Sequence, residues 1–489
     1  MTHSSDLYTA EQVRNGEKLA ADAVNVTMFE LMERAGRAAF EVIVNHYPMP
    51  TRIVVICGGG NNGGDGYIVA KLAIQSGYQT DVWAIKSSKS LKGDARQAFE
   101  DFIAAGGQVS NPNLARLREP QPLLIVDALL GTGFQGELRE EFQQIIQAIN
   151  QSHADVLAVD VPSGLCSDTG AVSSCAVRAN HTVTFIGTKQ GLVTGQARDY
   201  VGELHFKGLG IEQAFRRLVE PSAQIIVQLP RFHRKESSHK GHHGRALLIG
   251  GGKGLGGAIL LASKACLKSG AGLTACLTEP SNVTAGIMGS PEVMYSTWEE
   301  ANTIERLSWC DAIALGPGLG FSDEAKKLFQ NVVTSRKSKV LDADALTMLA
   351  ERPNYDNSRI ITPHPGEAAR LLNCGNTEIE ADRYSAVVKL QRQYGGVVVL
   401  KGAGTLVADE NRVFVCGAGN AGMATGGMGD VLTGVIVAFL AQGLPLIDAA
   451  KSGVLAHSLA ADADVAQRGM IGLSASDVIG SLRAVINSA

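Results

Sequence analysis

The residues with the most chemical content in this 489-residue chain sit in a few glycine-rich stretches. CGGGNNGGDGY (57–67) lies near the start, and KGAGT (401–405) and GGMGD (426–430) lie near the end. Each adjoins an apolar run of the kind that forms a strand or a buried helix. Each therefore reads as a strand–loop–helix site where backbone N–H groups and the positive end of a helix meet phosphate. The first loop departs from GxGxxG, which counts against an ordinary dinucleotide dehydrogenase. Oxygen-bearing residues at other strand ends strengthen it: Asp127 ahead of GTGFQGE (131–137), Asp160, and Ser163 in DVPSG. Asn, Asp and Ser oxygens converging without histidine or cysteine suit a hard cation, although each alone is equally a turn or cap residue. In GGMGD, glycine amides at the start of an apolar helix form an anion hole, and Asp430 beside them can accept a proton from a hydroxyl attacking phosphorus. Capping that helix is its plainer role. KGAGT supplies amides and one cation without being a Walker A sequence.

The elements that must position these loops are legible in outline. Thr9 and Gln12 form a capping box for a first helix, and apolar residues at helical spacing predict a second over 29–47, ended by Pro48 and Pro50. Short β-branched runs at 52–57, 123–131, 156–164 and 181–187 alternate with helix-length segments. That alternation predicts a mainly parallel sheet with helices on both faces, its functional loops at the carboxyl ends of the strands. Between about 210 and 244 the apolar periodicity fades, and the segment 231–245 is polar and charged. This region is expected to be a domain linker, and its histidines, His233, His239, His242 and His243, are read as linker residues and not as a metal site. Alternation resumes at 245–251 and continues through 311–320, 339–346, 359–367 and 396–405. No internal repeat relates the halves, so two different three-layer α/β domains are expected, over 1–215 and 222–489.

Composition narrows the function class. A formal net charge of -4 and a pI near 6.3, without a long basic run, argue against nucleic-acid or membrane-surface partners and for a small-molecule enzyme. The eight cysteines have no CxxC spacing and read as reduced, buried thiols of a cytoplasmic protein. Residues 1–8 have no apolar signal-peptide core, and the most apolar stretch, 431–440, falls short of the roughly 20 residues of a membrane span.

Taken in order, NNGGDG, LGTGFQG, AVDVPSGL and the segment 184–204 resemble the NAD(P)H-hydrate epimerase family across residues 9 to 215. The resemblance implies a Rossmann-like domain. Asn61, Asn62, Gly63, Gly64 and Asp65, with Gly131, Thr132, Gly133, Phe134, Gln135, Gly136 and Glu137, would embrace the hydrated nucleotide, with Asp160 on its reactive ring. By the same match Asn62, Asp127 and Ser163 would hold potassium. Epimerisation at the hydrated carbon needs a proton acceptor and a donor, and Asp160 with Lys189 is the candidate pair, though a lysine after a strand is commonly a solvated charge or phosphate contact.

The second half is similar to the ribokinase-like superfamily and, within it, to the ADP-dependent NAD(P)H-hydrate dehydratase family. HHGRALLIGGGKGLGGA, GPGLG, DADAL, TPHPGE, LKGAGT and ATGGMGDVLTG occur in that order from 242 to 434. The match implies that Ala258, Gly318 and His364 contact the hydrate, that Lys401, Gly402, Ala403, Gly404, Thr405 and Gly429 contact the adenine nucleotide, and that Asp430 is the base. His364 is equally a histidine that caps a turn. As a whole the chain resembles the bifunctional NAD(P)H-hydrate repair enzymes. That implies NADHX and NADPHX as substrates, ADP and Mg2+ in the dehydratase domain, K+ in the epimerase domain, and a homo-oligomer. Two other readings share parts of the pattern: a ribokinase-like small-molecule kinase fused to a nucleotide-binding module, and a first half that binds NAD-like ligands without catalysis.

Overall fold

The computed structural model describes residues 5–48, 51–118, 123–134, 136–172 and 174–488. The chain divides into two compact units, Met1–Gln224 and Ile225–Ala489.

In the first unit the strands are β1 (Asp6–Tyr8), β2 (Arg52–Cys57), β3 (Thr80–Ala84), β4 (Val109–Ser110), β5 (Leu123–Ala128), β6 (Asp155–Val159), β7 (His181–Phe185), β8 (Thr188–Lys189) and β9 (Glu203–Lys207), and β10 (Ala223–Ile225) runs across the boundary between the units. A parallel sheet runs in the order β4-β3-β2-β5-β6-β7-β9. Every residue of β2, RIVVIC, is buried, as a strand covered on both faces requires. Alternation decides which layer each side chain joins. Ile53 and Val55 pack with Ile43 and Ile68 on one face, while Val54 and Ile56 pack with Ile145 and Ile149 on the other. The predicted capping box is present, Thr9 and Gln12 starting the Ala10–Ala23 helix, and a second, Thr27 and Glu30, starts Met28–His46. Strand order reverses at β2, whose neighbours are β3 and β5, so the NNGGDG loop falls at the topological switch point where open α/β sheets bind ligands. Gly58 must be glycine there, because a Cβ would lie 1.9 Å from the Leu129 carbonyl oxygen of the adjacent loop.

In the second unit the strands are β11 (Arg245–Ile249), β12 (Leu273–Thr278), β13 (Met294–Thr297), β14 (Ala312–Leu315), β15 (Ser338–Leu341), β16 (Arg359–Ile361), β17 (Val397–Leu400), β18 (Leu406–Ala408) and β19 (Val413–Val415). Their order is β13-β12-β11-β14-β15-β16-β17-β18-β19, parallel through β17 and antiparallel beyond. The Met428–Ala441 helix is buried on nearly all sides, which its unbroken apolar run demands. It packs closely on the Gly256–Lys268 helix, and a Cβ at Gly434 would lie 2.1 Å from the Ala262 carbonyl oxygen.

The expected two-domain α/β architecture is present, and the expected linker needs correction. Residues 212–218 form a helix whose Phe215 is fully buried in the first unit, and Ala223 pairs with Leu7 of β1. Ile226, Leu229 and Phe232 join the core of the second unit, with the Phe232 ring 4.9 Å from that of Phe439. These apolar residues are too irregularly spaced to register as a helix or strand, yet they anchor the segment. Among the described residues, no helix is long and apolar enough to cross a membrane.

Candidate functional sites

The carboxyl ends of β2, β5, β6 and β7 surround a cavity of about 760 Å3. Of the residues singled out in the sequence, Asn61, Asn62, Asp65, Gly131, Thr132, Gly133, Phe134, Glu137, Asp160 and Lys189 line it. Gly63 and Gly64 are buried in the first turn of the Asn61–Gln75 helix, Gly136 is a turn residue with φ 85°, and Gln135 lies outside the described residues. Asp127 and Ser163 are buried behind the wall.

That buried pair is tightly knit. The Ser163 hydroxyl donates to Asp127 Oδ1 at 2.6 Å and the Ser163 amide donates to Oδ2 at 2.8 Å. The Leu130 amide donates to Ser163 Oγ at 2.9 Å, while Asn62 Nδ2 donates to the Leu130 carbonyl at 3.0 Å. Asn62 Oδ1 is buried and has no hydrogen-bond donor. Burial pushes the Asp127 carboxyl up to about 6 against the opposing hydrogen bonds from Ser163 and Leu129. Asn62 and Ser163 thus meet at the Leu130 peptide and Asp127 joins them through Ser163, with one oxygen unpartnered and a carboxyl buried among neutral donors.

On the cavity floor Lys189 is 1 % exposed and its ammonium donates to Asp160 Oδ1 at 2.5 Å, to the Phe185 carbonyl at 3.0 Å and to Thr184 Oγ1 at 3.2 Å. Asp160 itself has φ 66°, an uncommon backbone conformation for a non-glycine residue, held by its amide donating to the Val183 carbonyl at 2.8 Å. The surrounding acids respond. Asp65 is raised well above the usual carboxylate range, by burial and then by the charges of Asp160 and Glu17. Glu17 is raised by burial, with Lys189 opposing. Glu17 was not singled out in the sequence. It lines the cavity beside Arg14 on the first helix, and its only local signal is that i, i+3 pairing on an amphipathic helix.

In the second unit Asp430 occupies the first turn of the Met428–Ala441 helix, and its carboxyl is raised to about 7 by burial, then by Asp342, with Lys401 opposing. Lys401 donates to Asp342 Oδ1 at 2.8 Å and lies 3.6 Å from Glu367 Oε2. Thr433 donates to Asp342 Oδ2 at 2.8 Å. Lys401 is shifted further up by these acids despite its burial. Gly429 faces the pair, since a Cβ there would sit 3.2 Å from Lys401 Nζ. Gly318 adjoins Ala258, whose Cβ would lie 3.2 Å from a Cβ at Gly318. In the KGAGT loop Thr405 donates to the Gly402 carbonyl at 2.9 Å. Arg383, 1 % exposed, donates to the carbonyls of Leu400 at 3.2 Å and Lys401 at 3.1 Å. His364 caps the Pro365–Leu372 helix, its Nδ1 accepting from the Gly366 amide at 3.0 Å and the Glu367 amide at 3.3 Å. Asp342, Glu367, Arg383 and Thr433 were given no role from sequence. Asp342 and Glu367 fall inside quoted motifs, and Thr433 lies three residues after Asp430.

Fold and sites together are those of a two-domain α/β enzyme with a glycine-rich helix start and a buried acid–lysine pair in each unit. A YjeF-related protein N-terminus family model matches residues 28–191, and an NAD(P)H-hydrate dehydratase family model matches residues 246–483. The bifunctional NAD(P)H-hydrate repair enzyme of Vibrio cholerae is 50 % identical over 485 residues, covering 98 % of each chain. That of Escherichia coli is 44 % identical over 487 residues, covering 98 % of this chain and 94 % of its own. Among solved structures, an ADP/ATP-dependent NAD(P)H-hydrate dehydratase from Bacillus subtilis co-crystallised with ATP and Mg2+ is 29 % identical, covers 52 % of this chain and 92 % of its own, and gives a TM-score of 0.47. The chain belongs to the bifunctional NAD(P)H-hydrate repair enzyme family. Membership displaces the reading as a kinase that stops at a phosphate ester.

Proposed function

We propose that the first unit interconverts the R and S epimers of hydrated NADH and NADPH, and that the second dehydrates the S epimer with ADP, releasing AMP and phosphate. The epimerase role is assigned to 1–215 and the dehydratase role to 222–489. The observation that carries the reading is that each unit holds its own acid–lysine set at the carboxyl end of its own sheet, Asp160 with Lys189 in the first and Asp342 with Lys401, beside the first-turn Asp430, in the second.

The substrate carbon that bears the hydroxyl also bears the ring nitrogen, so its configuration is lost once the carbon becomes planar through an iminium or ring-opened form. That requires one proton taken and one delivered. The Lys189 ammonium is the donor, and Asp160, within 2.5 Å of it, is the acceptor through which the proton returns. Residues 61–65 and 131–137 hold the nucleotide around this pair. Potassium fits Asn62, Asp127 and Ser163, because Asn62 Oδ1 is buried without a donor and the Asp127 carboxyl has no cationic partner among its hydrogen bonds. When bound, the ion supplies positive charge behind the 131–137 loop.

In the second unit Asp430, poised near neutrality, takes the proton of the substrate hydroxyl as that oxygen attacks the terminal phosphorus of ADP. Glycine amides at the helix start and Lys401 face the developing charge. The phosphoryl group leaves with the oxygen as phosphate while the ring nitrogen pushes its electrons in to give an iminium, and loss of the proton on the neighbouring ring carbon to water then forms the ring double bond and returns the electron pair to nitrogen. Residues 401–405 and Gly429 contact the adenine nucleotide, and Ala258, Gly318 and His364 the hydrate. The carboxylates of Asp344 and Glu367, which push Asp430 upward, would hold Mg2+ brought with the nucleotide, and the ion would supply charge neutralisation there. All eight cysteines are unpaired, which supports a reducing, cytoplasmic setting.

The test is recovery of reduced-nicotinamide absorbance from each purified epimer, with and without ADP. Recovery from both epimers only when ADP is present is expected. A stable phosphorylated product without recovered absorbance would instead favour a kinase, and recovery from the S epimer alone would leave the first unit a binding module.

A further inference from the structure

At the opposite end of the first unit's sheet from the nucleotide cavity, three histidines and a glutamate meet. His46 is the last residue of the Met28–His46 helix, His181 begins β7, and Glu203 and His205 lie on β9. Register explains the meeting. His181 pairs with Glu203 across the parallel strands, and His205 is two residues further along β9, so the three side chains share one face, the face that the helix covers. His181 Nδ1 lies 3.0 Å from His205 Nε2 and 3.6 Å from Glu203 Oε2, while His205 Nε2 lies 3.9 Å from Glu203 Oε1. The His46 ring centroid is 4.4 Å from that of His181. One ligand atom from each of the four residues falls within 4.8 Å of all the others.

From this geometry we propose that His46, His181, Glu203 and His205 form a structural zinc site. Bonds of about 2.0–2.1 Å in a tetrahedron place ligand atoms roughly 3.3–3.4 Å apart, so the two β-strand histidines and the glutamate already hold near-ligating separations. The exposed side chains of His46 and Glu203 have room to close the remaining distance. Imidazole nitrogens with one carboxylate select a borderline ion such as Zn2+ over Mg2+ or Ca2+, which prefer all-oxygen shells. Four protein ligands leave no open position, which marks the site as structural and not catalytic.

The surroundings agree. His181 and His205 are both pushed below the ordinary histidine range, chiefly by burial, with Glu203 opposing and the neighbouring imidazoles adding to the shift. Asp155 faces the cluster with negative charge. Lys207, the positive group acting on His205, is engaged by Glu41 at 3.2 Å. The Tyr47 ring stands edge-on to His181 at 5.8 Å and its hydroxyl hydrogen-bonds Asp155. The ion would tie the end of the Met28–His46 helix to β7 and β9. Met32 and Ala35 of that helix line the nucleotide cavity, so the tie supports the cavity wall from a distance.

The experiment uses the full chain stripped with a chelator, titrated with ZnCl2 by calorimetry, with thermal unfolding followed in parallel. One saturable ion per chain with a rise in Tm is expected. His205→Gln and the exposed His46→Gln should each weaken binding on the order of tenfold or more, since even altering outer partners of a metal ligand costs that much. His239→Gln with His242→Gln, in the stacked histidine pair elsewhere in the chain, should leave it unchanged. Circular dichroism of the metal-free variants establishes that they fold. Absence of saturable uptake by the parent protein, uptake undiminished in both cluster variants, or loss of uptake in the His239/His242 variant would each overturn the site.

Discussion

Lys189 Nζ rests 2.5 Å from Asp160 Oδ1, with the lysine buried and the aspartate held at positive φ. A buried ammonium needs its carboxylate. Removing one partner strands the other, so the two must be tested by substitutions that differ in what they leave behind. Asp160→Asn should lower the epimerisation rate on the order of a hundredfold, the usual worth of a positioned acid or base. Dehydration of the S epimer should be unaffected, as read by an assay on each epimer separately. Lys189→Met should abolish epimerisation with a larger loss of thermal stability. Full epimerase activity in Asp160→Asn would remove the pair from the mechanism.

Asp430→Asn should reduce ADP-dependent dehydration at least about a hundredfold while the protein stays folded, because asparagine keeps the size but cannot take a proton, and the helix is capped by Gly427 and not by the Asp430 side chain. With the carboxyl raised to about 7, kcat/KM for dehydration should climb with pH through an ionisation near that value, and the substitution should abolish that limb. The sign for stability is opposite. A folded carboxyl raised above its unfolded value of 3.8 keeps a proton that the unfolded chain gives up, so this group's contribution is full below about 4 and is lost as pH rises toward 7. A denaturation series at those pH values, compared with Asp430→Asn, isolates the effect.

Asp127→Ala should weaken epimerisation and flatten its dependence on potassium concentration, leaving dehydration of the S epimer intact. It removes the acceptor of both Ser163 hydrogen bonds, so Asp127→Asn, which preserves the shape, serves as the companion variant. Equal loss of both half-reactions would indicate general misfolding in place of a cation role.

Arg383→Met should raise the KM for ADP more than it lowers kcat. Arg383 holds the Leu400 and Lys401 carbonyls at the start of the KGAGT loop and lies against Gly402, where a Cβ would meet its guanidinium at 2.9 Å. Buried carbonyls left without a donor cost about 1–3 kcal/mol each, so Tm should also fall, and steady-state kinetics well below the new Tm separate the two effects.

Separate expression of the halves should succeed when the break precedes Ile225 and fail to give a stable second piece when it falls at 237–240. The later break strips Ile226, Leu229 and Phe232 from the core they fill. The C-terminal piece begun at 225 should repair one epimer only, and adding the 1–224 piece should restore the other. A stable, fully active piece beginning at 241 would show that the 226–232 segment contributes nothing to packing.

The sequence by itself determined the strand–helix alternation, the capping box that starts the first helix, and the loops that carry NNGGDG, GTGFQGE, KGAGT and GGMGD. These are local matters. Glycine, proline and apolar period act within a few residues and need no distant partner. It also placed Asp127, Asp160, Ser163 and Asp430 at strand or helix ends, where an oxygen ligand or base is useful. Only the tertiary structure decided what those side chains touch. Lys189 reads as an ordinary lysine after a strand until β7 and the turn beyond it bury its ammonium on Asp160. Asp342 and Lys401 are 59 residues apart and meet because β15 and β17 end on the same edge of one sheet, where Thr433 from a helix completes the contact. The 226–232 segment looked like linker because its apolar residues follow no period, and burial does not require one. His46, His181, Glu203 and His205 come from a helix end and two strands, so no spacing announces them. Strand register and helix length bring their nitrogens and oxygens together, and those are properties of the folded sheet and not of any stretch of chain.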